Sequence, residues 1–125
     1  MKAIASKVFI VDDDDAVRDA LKILLESYGI AVEDFASATE FVRHYRPGAR
    51  QCLILDQDLP QTTGLDFLES RQAAALHLPV ILLTGRGNRA IRDRALGLGV
   101  DAYLEKPVHD HVLLATISRV VDAGS

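Results

Sequence analysis

Val8-Phe9-Ile10-Val11-Asp12-Asp13-Asp14-Asp15 is the stretch that decides the fold: four apolar residues running straight into four aspartates. Consecutive apolar residues without polar alternation read as a strand buried on both faces, the kind found in parallel sheets. The same pattern returns in Cys52-Leu53-Ile54-Leu55, in Val80-Ile81-Leu82-Leu83 and, more weakly, in Ala102-Tyr103-Leu104. Ala31-Val32-Glu33-Asp34-Phe35 is more polar and suits an edge strand.

Helical patterns fill the intervals. Val17, Leu21, Leu24, Leu25 and Tyr28 form one apolar stripe, stopped by Gly29. Ser37-Ala38-Thr39-Glu40 is a capping-box sequence opening a helix that runs towards Arg46, before Pro47-Gly48. Leu65, Leu68 and Ala75 suggest a third helix after Gly64, and Asn88 to Leu98 a fourth, closed by Gly97 and Gly99. Asp110 to Val121 is the fifth, with Val112, Leu113, Ala115, Thr116, Ile117 and Val120 on its apolar side. Five strands alternating with five helices argue for a doubly wound α/β fold, with helices on both faces of a parallel sheet.

Residues 1–125 suit one domain. A chain that is 49 % hydrophobic and 26 % charged is ordinary globular material, which excludes intrinsic disorder. The lone Cys52 excludes an internal disulfide framework and suggests a reducing compartment. No apolar run approaches the roughly 18 residues of a membrane span, and the start of the chain reads as no secretory signal. Fourteen basic and 18 acidic residues, net −4, argue against nucleic-acid binding by this domain. The expectation is a soluble cytoplasmic domain.

Ligands of such sheets bind beyond the carboxyl ends of the strands. There the first strand meets Asp12 and Asp13, the third ends at Asp56-Gln57-Asp58-Leu59-Pro60, the fourth at Thr84, and the fifth leads to Glu105-Lys106-Pro107. Crowded carboxylates repel, and a divalent hard cation relieves them; Mg²⁺ takes one or two carboxylates plus phosphate oxygens. A lysine and a hydroxyl opposite can hold the other oxygens of a phosphoryl group, and an oxygen of Asp56 can attack phosphorus in line. The constellation reads as metal-assisted phosphoryl transfer onto a side chain.

Val11-Asp12-Asp13, Leu55-Asp56 with Leu59-Pro60 and Gly64, Leu83-Thr84-Gly85, and Tyr103-Leu104-Glu105-Lys106-Pro107 resemble the receiver domain of two-component response regulators, over essentially the whole chain. The resemblance implies a flavodoxin-like fold, strand order 2-1-3-4-5, as in chemotaxis receivers. It implies Asp56 as phosphoacceptor, and Mg²⁺, with Mn²⁺ able to substitute, held by Asp13, Asp56 and the backbone carbonyl of Asp58, Asp12 acting mainly through water on the metal. It implies that Thr84 and Lys106 hold phosphoryl oxygens, that the Lys106–Pro107 bond is cis, and that Tyr103 turns inward when Thr84 is drawn to the phosphate. It also implies a sensor histidine kinase or histidine phosphotransfer protein as partner, a signal relayed through the fourth helix, fifth strand and fifth helix, and self-catalysed transfer and hydrolysis rather than enzymatic turnover. A homodimer is compatible with it. The Thr84-Gly85-Arg86-Gly87 loop resembles that of receivers carrying a DNA-binding output domain of the nitrogen-fixation regulator type, which would lie outside this chain; the chain's two ends fit a single-domain regulator equally. Leu59 stands where many receivers have methionine, and Val108 where an aromatic residue is usual. Asp58 and Arg86 sit at rim positions expected to tune rates, Arg86 neutralising Asp58 through an exposed pair.

Other readings compete. Taken alone, Asp12 to Asp15 would be a solvated helix start, the role left to Asp14 and Asp15. Lys106 alone would be a surface lysine, Thr84 a strand end and Tyr103 a half-buried packing residue. His109 and His111 are two apart, point different ways and have no third ligand nearby, which argues against zinc. Cys52 reads as inert filling. Gly85-Arg86-Gly87-Asn88-Arg89-Ala90 matches a dinucleotide fingerprint, but that motif belongs to the first strand–helix turn, here four aspartates that would repel a pyrophosphate. Asp56-Gln57-Asp58 also resembles the D-x-D of haloacid-dehalogenase-like aspartyl-phosphate phosphatases, although Pro60 breaks that motif and the chain has no length for a cap. That phosphatase is the alternative function.

Overall fold

Every apolar run becomes a strand of one parallel sheet. The computed structural model describes residues 6–70, 73, 74 and 76–123. Its elements are β1 (Lys7–Val11), α1 (Asp15–Ser27), β2 (Ala31–Phe35), α2 (Ala38–His44), β3 (Gln51–Asp56), α3 (Gly64–Glu69), β4 (Val80–Thr84), α4 (Arg89–Gly97), β5 (Ala102–Glu105) and α5 (Asp110–Ala123). All neighbours pair in parallel, in the order β2-β1-β3-β4-β5. β1, β3 and β4 are the central strands and carry the continuous apolar runs; β2 and β5 form the edges and are the more polar ones.

Side chains alternate across the sheet, so each central strand feeds two cores. Phe9, Val11, Leu53, Leu55 and Leu82 pack with Phe41 of α2, Leu65 and Phe67 of α3 and Ala95 of α4. Val8, Ile10, Cys52, Ile54, Ile81 and Leu83 pack with Leu25 of α1 and Leu113, Ile117 and Val120 of α5. Each of the Val, Leu, Ile and Phe side chains among them contributes about 1.5–3 kcal/mol by leaving water. Burial also pushes the Cys52 thiol up to about 12, helped by the charge of Asp101, so Cys52 is a protonated filler at neutral pH.

The helix ends follow their caps. Asp14 caps α1 by accepting from Ala16 N (2.9 Å) and Val17 N (3.2 Å), and Asp15 follows in the first turn, the helix-start role read from the sequence. Gly29 adopts φ +80°, a left-handed conformation that stops α1. Ser37 accepts from Glu40 N as half of a capping box, but α2 ends at His44, two residues short of Arg46. Its stop comes from Tyr45, which turns extended and packs on Phe9 and Phe41 at 5.6 and 5.5 Å. α3 ends at Glu69, and Ala75 lies outside the described residues. α4 runs through Gly97, so Gly99 is the glycine beyond its end.

Three residues assigned to apolar faces are exposed. Tyr28 is the C-cap of α1, outside its last turn, and is 66 % exposed; on α5, Val112 is 37 % exposed and Ala115 also faces solvent. The buried stripe of α5 runs instead through Leu113, Thr116, Ile117, Val120 and Val121.

Candidate functional site

Four strand ends converge because the parallel ladder sets them side by side. Val11 pairs with Leu55, Asp56 with Leu83 and Thr84 with Glu105, so the residues beyond each strand share one rim. Asp12 and Asp56 are buried there and Asp13 is exposed. One carboxylate oxygen from each of the three lies within 4.8 Å of the others, an acidic pocket of hard oxygen donors.

Lys106 reaches this pocket from the β5 end. Its backbone N–H donates to Thr84 O at 2.8 Å, and its Nζ donates to Asp12 Oδ2 and Asp56 Oδ1, each at 3.3 Å. The Lys106–Pro107 bond is cis. Asp56 Oδ1 also accepts the Asp58 N–H at 3.2 Å. Burial and the neighbouring Asp12 charge hold the Asp56 carboxyl above the usual aspartate range, against the pull of Lys106. Burial acts to lower the Lys106 pKa, but the charges of Asp56 and Asp12 outweigh it and the ammonium is held above its ordinary value.

Thr84 is fully buried and its Oγ1 accepts the Arg86 N–H at 3.1 Å. Tyr103 is half-buried against the α2–α3–α4 core, and its hydroxyl donates to Glu105 Oε2 at 3.2 Å beside Gly87. Burial, then the bond and charge of Glu105, raise its pKa. The Asp58 carboxylate departs from the sequence reading. It accepts the Gly85 N–H at 3.0 Å, and among the described residues no ion pair joins it to Arg86. A backbone amide directly across the rim outcompetes a long exposed guanidinium, whose pairing carries an entropic cost. His109 and His111 do not point apart; their rings stack at 5.8 Å, because His109 precedes α5 and escapes helical spacing.

Two residues that support this rim were not singled out from the sequence. Arg18, one turn into α1, donates from Nη1 to Asp12 O at 2.6 Å and from Nε to Asp34 Oδ2 at 3.0 Å, and also pairs with Asp15. Only the i, i+3 spacing from Asp15 was legible; Asp34 arrives from another strand. Gln57 is buried, and its Oε1 accepts the Leu65 N–H at 2.9 Å, tying the loop after Asp56 to α3.

Gly64 closes that loop by donating its N–H to Gln57 O at 3.1 Å. A Cβ there would stand 2.8 Å from Asp56 O, 3.0 Å from Leu82 Cδ1 and 3.2 Å from Gln57 Cα. Gly64→Ala is therefore expected to cost about 1–3 kcal/mol, the scale of overpacking. Chemical denaturation measures it, and wild-type stability in the variant would show that the loop has room to shift.

A family model described as the response regulator receiver domain matches residues 8–118. The chain is similar to the transcriptional regulatory protein FixJ of Azorhizobium caulinodans, with 39 % identity over 110 residues, 88 % of this chain and 52 % of that protein. It is similar to the response regulator protein TodT of Pseudomonas putida, with 35 % identity over 113 residues, 90 % of this chain and 50 % of that protein. The chain thus spans about half the length of the curated relatives it matches. Its backbone is similar to a crystal structure of a CheY-like response regulator receiver domain protein from Methanospirillum hungatei, with TM-score 0.84, 29 % identity and 97 % of each chain covered. The phosphatase reading of Asp56-Gln57-Asp58 is not supported by these similarities.

Proposed function

The chain belongs to the response regulator receiver domain family of two-component systems, and we propose that it is a cytoplasmic switch that accepts one phosphoryl group onto Asp56 from a sensor histidine kinase or a histidine phosphotransfer protein. The observation that supports this most is the state of the Asp56 carboxylate. Oδ1 is engaged by Lys106 Nζ and the Asp58 N–H, while Oδ2 accepts no hydrogen bond among the described residues. Oδ2 is therefore the oxygen whose lone pair is available to phosphorus. As the O–P bond forms, the P–N bond of phosphohistidine breaks and its electron pair leaves on the imidazole. Attack by water later returns the carboxylate and inorganic phosphate. The chain thus completes one transfer and one hydrolysis on its own side chain and turns over no other protein or metabolite.

Asp13, Asp56, the Asp58 carbonyl and Asp12 would hold Mg²⁺ or Mn²⁺, for which clustered hard oxygens are a fitting donor set. When bound, the ion supplies positive charge that offsets the crowded carboxylates and the incoming phosphoryl oxygens. Lys106 Nζ donates to a phosphoryl oxygen from the opposite side. The Thr84 hydroxyl, which accepts from Arg86 N, keeps its own proton to donate there. Drawing Thr84 to the phosphoryl group vacates space beside Tyr103 and changes the surface of α4, β5 and α5, where Leu96 and Val112 are exposed.

With Mg²⁺ and acetyl phosphate the chain is expected to gain one hydroxylamine-labile phosphoryl group; label mapped to a histidine or serine would overturn the assignment. Thr84→Ala should uncouple phosphorylation from the surface change while largely preserving the phosphorylation itself. Amide chemical shifts around Tyr103 report this, and phosphorylation-induced shifts equal to those of the wild type would sink the coupling.

A further inference from the structure

We infer that the Asp58 side chain is a positioning residue for phosphoryl transfer, a strap that holds the Gly85 N–H across the mouth of the Asp56 site until a phosphoryl group displaces it. The proposal rests on the reading of Asp56 as phosphoacceptor. Two hydrogen bonds run in series from that residue to the loop after Thr84: Asp58 N–H to Asp56 Oδ1 at 3.2 Å, and Gly85 N–H to Asp58 Oδ2 at 3.0 Å. Asp58 therefore joins the β3–α3 loop to the β4–α4 loop with its backbone on one side and its carboxylate on the other.

The end of the β3–β4 ladder shows why a side chain is needed there. Asp56 pairs with Leu83, and Gln57 N–H still donates to Leu83 O at 2.8 Å. In an unbroken parallel ladder the next amide, Gly85 N–H, would donate to the Gln57 carbonyl. That carbonyl accepts the Gly64 N–H instead, at 3.1 Å, and Gly85 is left to the carboxylate two residues after Asp56. The Gly85 amide follows Thr84 directly, and on this proposal it is a donor for which an incoming phosphoryl oxygen competes with the Asp58 carboxylate. Both anions compete for one donor, and their like charges repel. Arg86 forms no ion pair with Asp58 among the described residues, so the repulsion is not quenched locally.

The test compares Asp58→Ala, which removes charge and acceptor, with Asp58→Asn, which removes the charge and keeps a carbonyl oxygen for Gly85. Phosphorylation by acetyl phosphate at saturating Mg²⁺ and hydrogen exchange of the Gly85 amide are read on the full chain. Asp58→Ala should speed Gly85 exchange about tenfold and phosphorylation about three- to tenfold, the net worth of one ordinary hydrogen bond. Asp58→Asn should keep most of the Gly85 protection and gain less rate, and the gap between the variants should persist at high salt, since screening weakens a charge field and not a direct bond. Equal acceleration in both variants, or unchanged Gly85 exchange in Asp58→Ala, would show that the side chain acts only as a charge and overturn the strap. A wild-type chain that takes no phosphoryl group would overturn the receiver reading together with it, whereas the first two outcomes leave that reading standing.

Discussion

Asp56→Asn is expected to abolish phosphoryl incorporation from acetyl phosphate, a loss of more than about a thousandfold of the kind that follows removal of a nucleophile. The amide is nearly isosteric, so Lys106 and the Asp58 N–H keep an oxygen to bind, and the pocket keeps its shape. What disappears is the carboxylate lone pair at Oδ2 and its charge. Incorporation should be read by intact mass and hydroxylamine release, with Mg²⁺ present and with it chelated. Residual label at more than a few per cent of wild type would assign the acceptor to another residue.

Lys106→Met is expected to lower the unfolding free energy by about 1–3 kcal/mol, short of the roughly 3–5 kcal/mol of a fully buried pair because the lysine side chain is 29 % exposed. The loss arises on the other side of the contact. Asp12 and Asp56 are only 3 % and 4 % exposed, and without the ammonium they face each other unneutralised. Asp56→Asn should act in the opposite direction. Burial and Asp12 raise the folded pKa of Asp56, so the stability that its protonated form contributes is complete below the ordinary aspartate pKa of about 3.9 and is lost as pH rises through the folded value. At neutral pH the ionised wild-type residue is therefore a cost, which the asparagine removes. Urea denaturation should show Asp56→Asn more stable than wild type at pH 7, with the gap closing below about pH 4. In the double variant most of the Lys106→Met loss should be recovered; an undiminished loss would show that the lysine stabilises through other contacts.

Much of the site was legible because its chemistry sits at strand ends, and strand ends are marked by the change from apolar to polar residues. Val11 to Asp12, Leu55 to Asp56 and Leu83 to Thr84 are such changes, and a parallel sheet must bring them to one edge. Lys106 was legible for the same reason, since it follows the last strand directly. The rim contacts were not. Nothing local says that the Asp58 carboxylate prefers the Gly85 amide to Arg86, because the choice depends on Gly64 taking the Gln57 carbonyl. Nor does anything local say that Arg18 holds Asp12 in place through a carbonyl while gripping Asp34 of a neighbouring strand.

By itself the amino-acid sequence determined the alternation of five strands and five helices, the two-faced burial of the central strands and the edge at which the carboxylates gather. Those features depend on periodicity and on turn residues, which act within a few positions of the chain. Only the tertiary structure decided that Tyr28 and Val112 face solvent, that the histidine rings stack, that Tyr103 bonds Glu105 beside Gly87, and which oxygen of Asp56 takes the Lys106 and Asp58 donors. Each of these depends on the distance and angle at which groups from separate elements meet, and hydrogen bonds and ion pairs change partners over about an ångström, a precision that residue spacing along the chain does not carry.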